Sequence, residues 1–181
     1  MLKRLVLLLI IAAPLFALIA QEAEITLSPV EIKPQAPFRY AALIMKGDYA
    51  QHGDAFQRLY QLAASQNMGY DIKIFGIYFD DPSSTPVDQL NWLLGFPLEE
   101  GQHAAEPLEE RTYDYPLVAA ITYTGPLTDQ MGQAYEKLIG TVMSSGYRIV
   151  GPIMQRYVTL PTQNAKGEWC GTVEAVMPVE K

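Results

Sequence analysis

The tightest constraint on this chain is an internal repeat. Arg39-Tyr-Ala-Ala-Leu-Ile-Met-Lys-Gly47 aligns with Leu117-Val-Ala-Ala-Ile-Thr-Tyr-Thr-Gly125, each an apolar strand-like run closed by a glycine turn. A helix-periodic stretch follows each run. Ala55, Phe56, Leu59, Tyr60, Ala63 and Ala64 match Ala134, Tyr135, Leu138, Ile139, Val142 and Met143. The i, i+3, i+4, i+7 spacing gives each helix one apolar stripe. Asn67 and Gly146 stand where the helices should end, and both residue types tolerate a left-handed cap. Strand signals follow at Tyr70–Pro82 and Tyr147–Val158, then Trp92–Pro97 and Trp169–Pro178. The unit is strand, helix, strand, strand, taken twice. The predicted fold is α+β: a duplicated βαββ repeat making an antiparallel sheet, with helices on one face and a central cleft at the pseudo-two-fold axis.

Charge and cysteine content narrow the partners. The 181 residues hold 13 Lys and Arg against 20 Asp and Glu, a net charge of −7. That balance argues against nucleic acid, since phosphate backbones are gripped by local excesses of Lys and Arg. Cys170 is the only cysteine, which excludes an intrachain disulfide and cysteine metal clusters. Lys3-Arg4 followed by the apolar run Leu5–Ala20 reads as an export signal, either cleaved or kept as a membrane anchor. The expected location is therefore exported, periplasmic or membrane-anchored. Residues 21–37, with Pro29, Pro34 and Pro37, read as an extended linker with an edge strand over Glu24–Leu27. The domain itself spans 38–181, with halves at about 38–100 and 113–181 joined by a polar, acidic connector.

The repeat carries a family resemblance. Gly76-Ile-Tyr-Phe-Asp-Asp-Pro82, Asn91-Trp-Leu-Leu-Gly-Phe-Pro97, Ala119-Ala-Ile-Thr-Tyr-Thr-Gly125-Pro, Ser145-Gly-Tyr147, Gly151-Pro, Tyr157 with Pro161, and Glu174-Ala-Val-Met-Pro178-Val stand in order along the chain. In this it resembles the GyrI-like small-molecule-binding domain, the effector-binding module of multidrug-responsive and AraC-type bacterial regulators. The resemblance implies a cleft between two βαββ repeats that takes apolar or cationic small molecules, with aromatic walls and a buried glutamate. Some relatives hydrolyse reactive small electrophiles there, and others bind a protein partner. Residues 1–37 carry a signal and a linker where the regulators carry a DNA-reading helix-turn-helix. The expected role is thus a small-molecule sensor or carrier, with a hydrolase and a protein-interaction domain with a filled cleft as alternatives.

Glu174 is the sharpest candidate residue. Strand alternation puts it on the face opposite Val173, Ala175 and Met177, and the first repeat has Leu93 at the equivalent place, so the fold does not require the acid. A carboxylate among aromatic rings could attract a cation, or act as acid or base if an enzyme. Its resemblance-implied cleft walls are Tyr123, Tyr157, Tyr78, Trp92 and Tyr40, with Trp169 on a strand nearby. His52 and His103 lack metal-ligand spacing, Gly-x-Ser-x-Gly is absent, and no phosphate or dinucleotide glycine motif occurs. No cofactor is expected.

Overall fold

A computed structural model describes residues 25–68 and 73–181. Among them the first half contributes β1 (Thr26–Leu27), β2 (Glu31–Pro34), β3 (Phe38–Lys46), α1 (His52–Ser65), β4 (Phe75–Tyr78) and β5 (Asn91–Pro97). The second half contributes β6 (Glu109–Tyr113), β7 (Leu117–Pro126), α2 (Gly132–Ser144), β8 (Arg148–Ile149), β9 (Ile153–Tyr157), β10 (Thr162–Gln163) and β11 (Trp169–Glu180). One antiparallel sheet runs β1-β7-β11-β9-β4-β5-β3-β6, with β2 also on β7 and with β8 and β10 on β11. The α+β duplication expected from the repeat is what the chain forms. Its halves meet at β4 and β9, where Phe75 lies opposite Arg156 and Ile77 opposite Met154.

Both helices cover one face. Ala55, Leu59 and Ala63 of α1 pack on Ala41, Leu43, Leu94 and Phe96. Ala134, Leu138 and Val142 of α2 pack on Ala119, Ile121, Ala175 and Met177. These triplets are the i, i+4, i+8 positions of the apolar stripes. Asn67 and Gly146 adopt positive φ, 56° and 75°, and let the chain leave each helix.

The opposite face is concave, and chain length forces it to be so. β6 and β7 stand six strand spacings apart in the sheet order, about 29 Å if the sheet were flat. Only four residue steps join Tyr113 to Leu117, a reach of at most about 14 Å. Likewise β2, paired to β7, is joined to β3 by four steps from Pro34 to Phe38. Two short straps, residues 35–37 and 114–116, therefore pull the sheet ends together. The Gln35 amide donates to the Pro116 carbonyl at 3.0 Å and ties the straps to each other.

Two sequence expectations change here. The stretch 21–37 reads as a linker from its prolines, with an edge strand over Glu24–Leu27. β1 occupies part of that strand, and Glu31–Pro34 also pairs with β7. The acidic connector likewise ends in β6, which pairs with β3. The two additions are counterparts. Lys33 opposite Val118 becomes, one repeat further on, Arg111 opposite Tyr40, and Glu31 opposite Ala120 becomes Glu109 opposite Ala42. Each repeat begins with a strand handed across to the other repeat. Their mostly polar sequences, exposed except at Ile32, Lys33 and Tyr113, suit sheet edges and hide them from a search for apolar runs.

Among the described residues no helix is long and apolar enough to cross a membrane. The apolar run at 5–20 and the strand signal at Tyr70–Ile72 lie outside the described residues.

Candidate ligand site on the concave face

Alternation along β4, β9 and β11 sends neighbouring residues to opposite faces, and it divides the expected site residues into two groups. Tyr78, Tyr157 and Trp92 lie on the helix side. Tyr78 and Tyr157 are counterparts in the two repeats, and their hydroxyls meet at the axis, 3.3 Å apart. Gln155 Oε1 accepts from the Tyr157 hydroxyl at 3.3 Å, and its amide nitrogen donates to the Tyr135 hydroxyl of α2. From α1, His52 Nδ1 donates to the Tyr49 carbonyl, which leaves Nε2 to accept from the Tyr78 hydroxyl at 2.8 Å. Burial lowers the His52 pKa against the Tyr49 hydrogen bond and favours this neutral form. Burial also pushes the Tyr157 hydroxyl up to about 12, opposed by its bond to Tyr78, and raises Tyr78 well above the usual range. None of these tyrosines is a phenolate near neutral pH. With Phe56 packed edge-on against Tyr157 and Trp92 fully buried, this seam is closed by its own side chains. Tyr123 is also on the helix side, beneath α2, its hydroxyl donating to the Pro126 carbonyl at 2.6 Å.

Glu174 and Tyr40 face the other way. Glu174 lies on β11 between Thr122 and Arg156. It accepts from Lys33 Nζ at 2.6 Å and from Arg156 Nη1 at 3.0 Å. Burial raises its pKa, but the two cations more than offset this and hold the carboxyl below its usual value. Arg156 Nη2 donates to Gln35 Oε1 at 2.6 Å, which pins the first strap. A carboxylate so held stays ionised near neutral pH, has little attraction left for a third cation, and carries no proton to donate.

Beside this ionic cluster lies an aromatic one. Phe38 stacks on Tyr113 at 5.2 Å, Tyr40 meets Phe75 edge-on at 5.2 Å, and Tyr113 meets Tyr115 edge-on at 5.0 Å. The Arg156 guanidinium sits 5.9 Å from the Phe38 ring centre. Next to them opens a recess of about 330 Å³, lined by Tyr40, Ile77, Phe79, Arg111, Thr112, Tyr113, Tyr115 and Pro152. Its volume is at the lower end of the range for small-molecule sites. The Tyr113 hydroxyl is buried and has no hydrogen-bond partner among the described residues. Burial raises its pKa, with Arg156 acting in the opposite direction, so it remains a neutral donor and acceptor.

The repeat explains that orphan. The register pair Arg156–Glu174 of the second half is Ile77–Leu93 in the first. Tyr113 is the repeat counterpart of Gln35, the acceptor for Arg156, but Ile77 offers it no donor. Lys33, Arg156, Arg111, Tyr113 and Tyr115 carry no signal in the sequence motifs taken one by one. Extending the repeat upstream to Glu31-Ile-Lys33 and Glu109-Glu-Arg111 exposes Lys33 and Arg111 as a pair.

Two strand–helix–strand–strand units, one curled sheet and a concave face lined with aromatic rings define a pseudo-symmetric α+β domain with room for a small molecule. The chain belongs to the GyrI-like small molecule binding domain family, which it matches over residues 28–178. Among curated proteins, none matches the sequence. Among solved structures, a hydrolase from Listeria innocua is similar at TM-score 0.64 and 13% identity, over 83% of this chain and 91% of that one. The EcmrR C-terminal domain is similar at TM-score 0.64 and 17% identity, over 84% and 98%. SAV2435, bound to tetraphenylphosphonium, is similar at TM-score 0.50 and 13% identity, over 84% and 94%. At such identities the likeness is one of fold.

Proposed function

We infer that this domain is an effector-binding module that takes a small apolar molecule in the recess of its concave face. The observation that carries the reading is the recess of about 330 Å³ walled by the Tyr40, Phe79, Tyr113 and Tyr115 rings, an aromatic hollow of the size small ligands occupy. The fold likeness to EcmrR's C-terminal domain and to SAV2435, which holds the apolar cation tetraphenylphosphonium, supports small-molecule binding by this domain. A cationic ligand at Glu174 is supported less, since Lys33 and Arg156 already hold that carboxylate. A hydrolase using Glu174 as acid meets the same obstacle.

The test is fluorescence titration of the full-length protein with N-phenyl-1-naphthylamine, a neutral probe that brightens in apolar surroundings. Saturable brightening is expected, weakened several-fold by Phe79→Ala, an exposed change on the recess rim. Brightening that never saturates, or that ignores Phe79→Ala, overturns the site. Tyr113→Phe should raise stability by about 1 kcal/mol, because it removes a buried polar group that gains no hydrogen bond in the free protein. A loss of stability would show that the hydroxyl has a partner.

The basic start and apolar run at 5–20 support export, with the domain released or anchored outside the cytoplasm. Fractionation of bacterial cells making the full chain should then recover it from the periplasm or membrane. Recovery with the soluble cytoplasmic proteins would refute export.

A further inference from the structure

We propose that the recess beside Tyr113 takes an apolar aromatic molecule that carries an anionic group, with Arg111 pairing to the anion. This rests on the small-molecule reading above and adds the ligand's charge. The argument comes from comparing the two copies of the site. In the second repeat Lys33 reaches Glu174, which Arg156 also holds. In the first repeat the counterpart of Lys33 is Arg111, while Leu93 and Ile77 replace the acid and the second base. The duplicated site has kept its cation and lost the buried carboxylate that would neutralise it.

What Arg111 has instead is Glu109, two residues away on the same strand, at 2.8 Å. Their side chains are 39% and 55% exposed, and an ion pair this open to water contributes little. A ligand carboxylate can replace Glu109 at small cost, and guanidinium binds a planar carboxylate through two parallel hydrogen bonds. Arg111 lines the recess, so an anionic head paired to it keeps its apolar part against the aromatic walls. The rings of Tyr40 and Tyr115 supply the apolar wall. The net charge of −7 for the whole chain means that this cation is not part of a generally basic surface.

Calorimetric titration of the full-length protein with three ligands of one shape tests the charge: 1-naphthoate, neutral 1-naphthamide and 1-naphthylmethylammonium. Naphthoate is expected to bind roughly tenfold more tightly than the amide, the worth of one charge-assisted hydrogen bond, and the ammonium more weakly than either. Arg111→Gln should collapse the difference between acid and amide, and Arg111→Lys should retain part of it. Arg111 is exposed enough that these variants should fold, which circular dichroism checks. Equal affinities, or a preference for the ammonium, would overturn the anion assignment and leave the small-molecule reading standing. Failure of all three while N-phenyl-1-naphthylamine still binds would do the same. Failure of all four probes would remove both.

Discussion

Gly95→Ala is expected to destabilise the protein by about 3 kcal/mol, the upper part of the range for overpacking a dense interior. A Cβ built on Gly95 would stand 2.7 Å from the Ala41 carbonyl oxygen and 3.1 Å from the Phe75 ring. The ring could turn aside at some cost to the aromatic cluster. The carbonyl belongs to the neighbouring strand β3, paired along its length to β5, and cannot move alone. The second repeat shows how the same place is filled otherwise. Phe75 opposite Gly95 becomes Met154 opposite Val176, so a large ring over no side chain is exchanged for two of middle size. The glycine is thus the space that lets Phe75 lie in the concave face against Phe38 and Tyr40. Gly53→Ala is the control: its Cβ meets nothing within 4 Å, it sits inside α1, and the change should stabilise by about 0.5–1 kcal/mol. Urea denaturation of the pair decides the matter. A loss below about 1 kcal/mol for Gly95→Ala would show that the sheet yields there.

Much of this architecture is readable from residue order. Ala55, Leu59 and Ala63, repeated as Ala134, Leu138 and Val142, announce two helices on one sheet face, and those residues are buried there. Asn67 and Gly146 mark the helix ends. The handed-over strands β2 and β6 are not readable as strands, because an exposed edge needs no apolar alternation and both are polar. Their pairing partners also lie in the opposite repeat, a long-range relation that no local pattern records. The candidate residues illustrate a second limit. Alternation correctly separates Glu174 from Val173 and Ala175, but it cannot say that Tyr78 and Tyr157 share the helix side with those two, away from the acid. Nor can it show that Lys33, 141 residues away, reaches Glu174 across β7.

That ionic cluster gives the second large effect. Glu174→Leu alone should cost about 2 kcal/mol, while Glu174→Leu with Arg156→Ile should lie within about 1 kcal/mol of the original protein. The asymmetry follows from what each change leaves behind. Removing the carboxylate strands the Arg156 guanidinium, only 28% exposed, between strands with its main acceptor gone. The cost falls below that of breaking a fully buried pair because Arg156 and Lys33, the latter 37% exposed, regain some water. Removing both members of the register pair leaves no buried charge unmatched between β9 and β11, and the first repeat already packs Ile77 against Leu93 in that arrangement. Acid separates the variants further. Burial raises the Glu174 pKa but Lys33 and Arg156 lower it more, so the folded value lies under the ordinary 4.5. The stability it contributes is therefore complete above about pH 4.5 and is lost as pH falls through the folded value. Between pH 7 and pH 3 the original protein should lose more stability than the double variant, by the part that Glu174 supplied. Denaturation midpoints at both pH values read this difference. If the single and double variants are equally destabilised, or lose stability to acid as the original does, the cluster is a surface feature and not the organiser of the concave face.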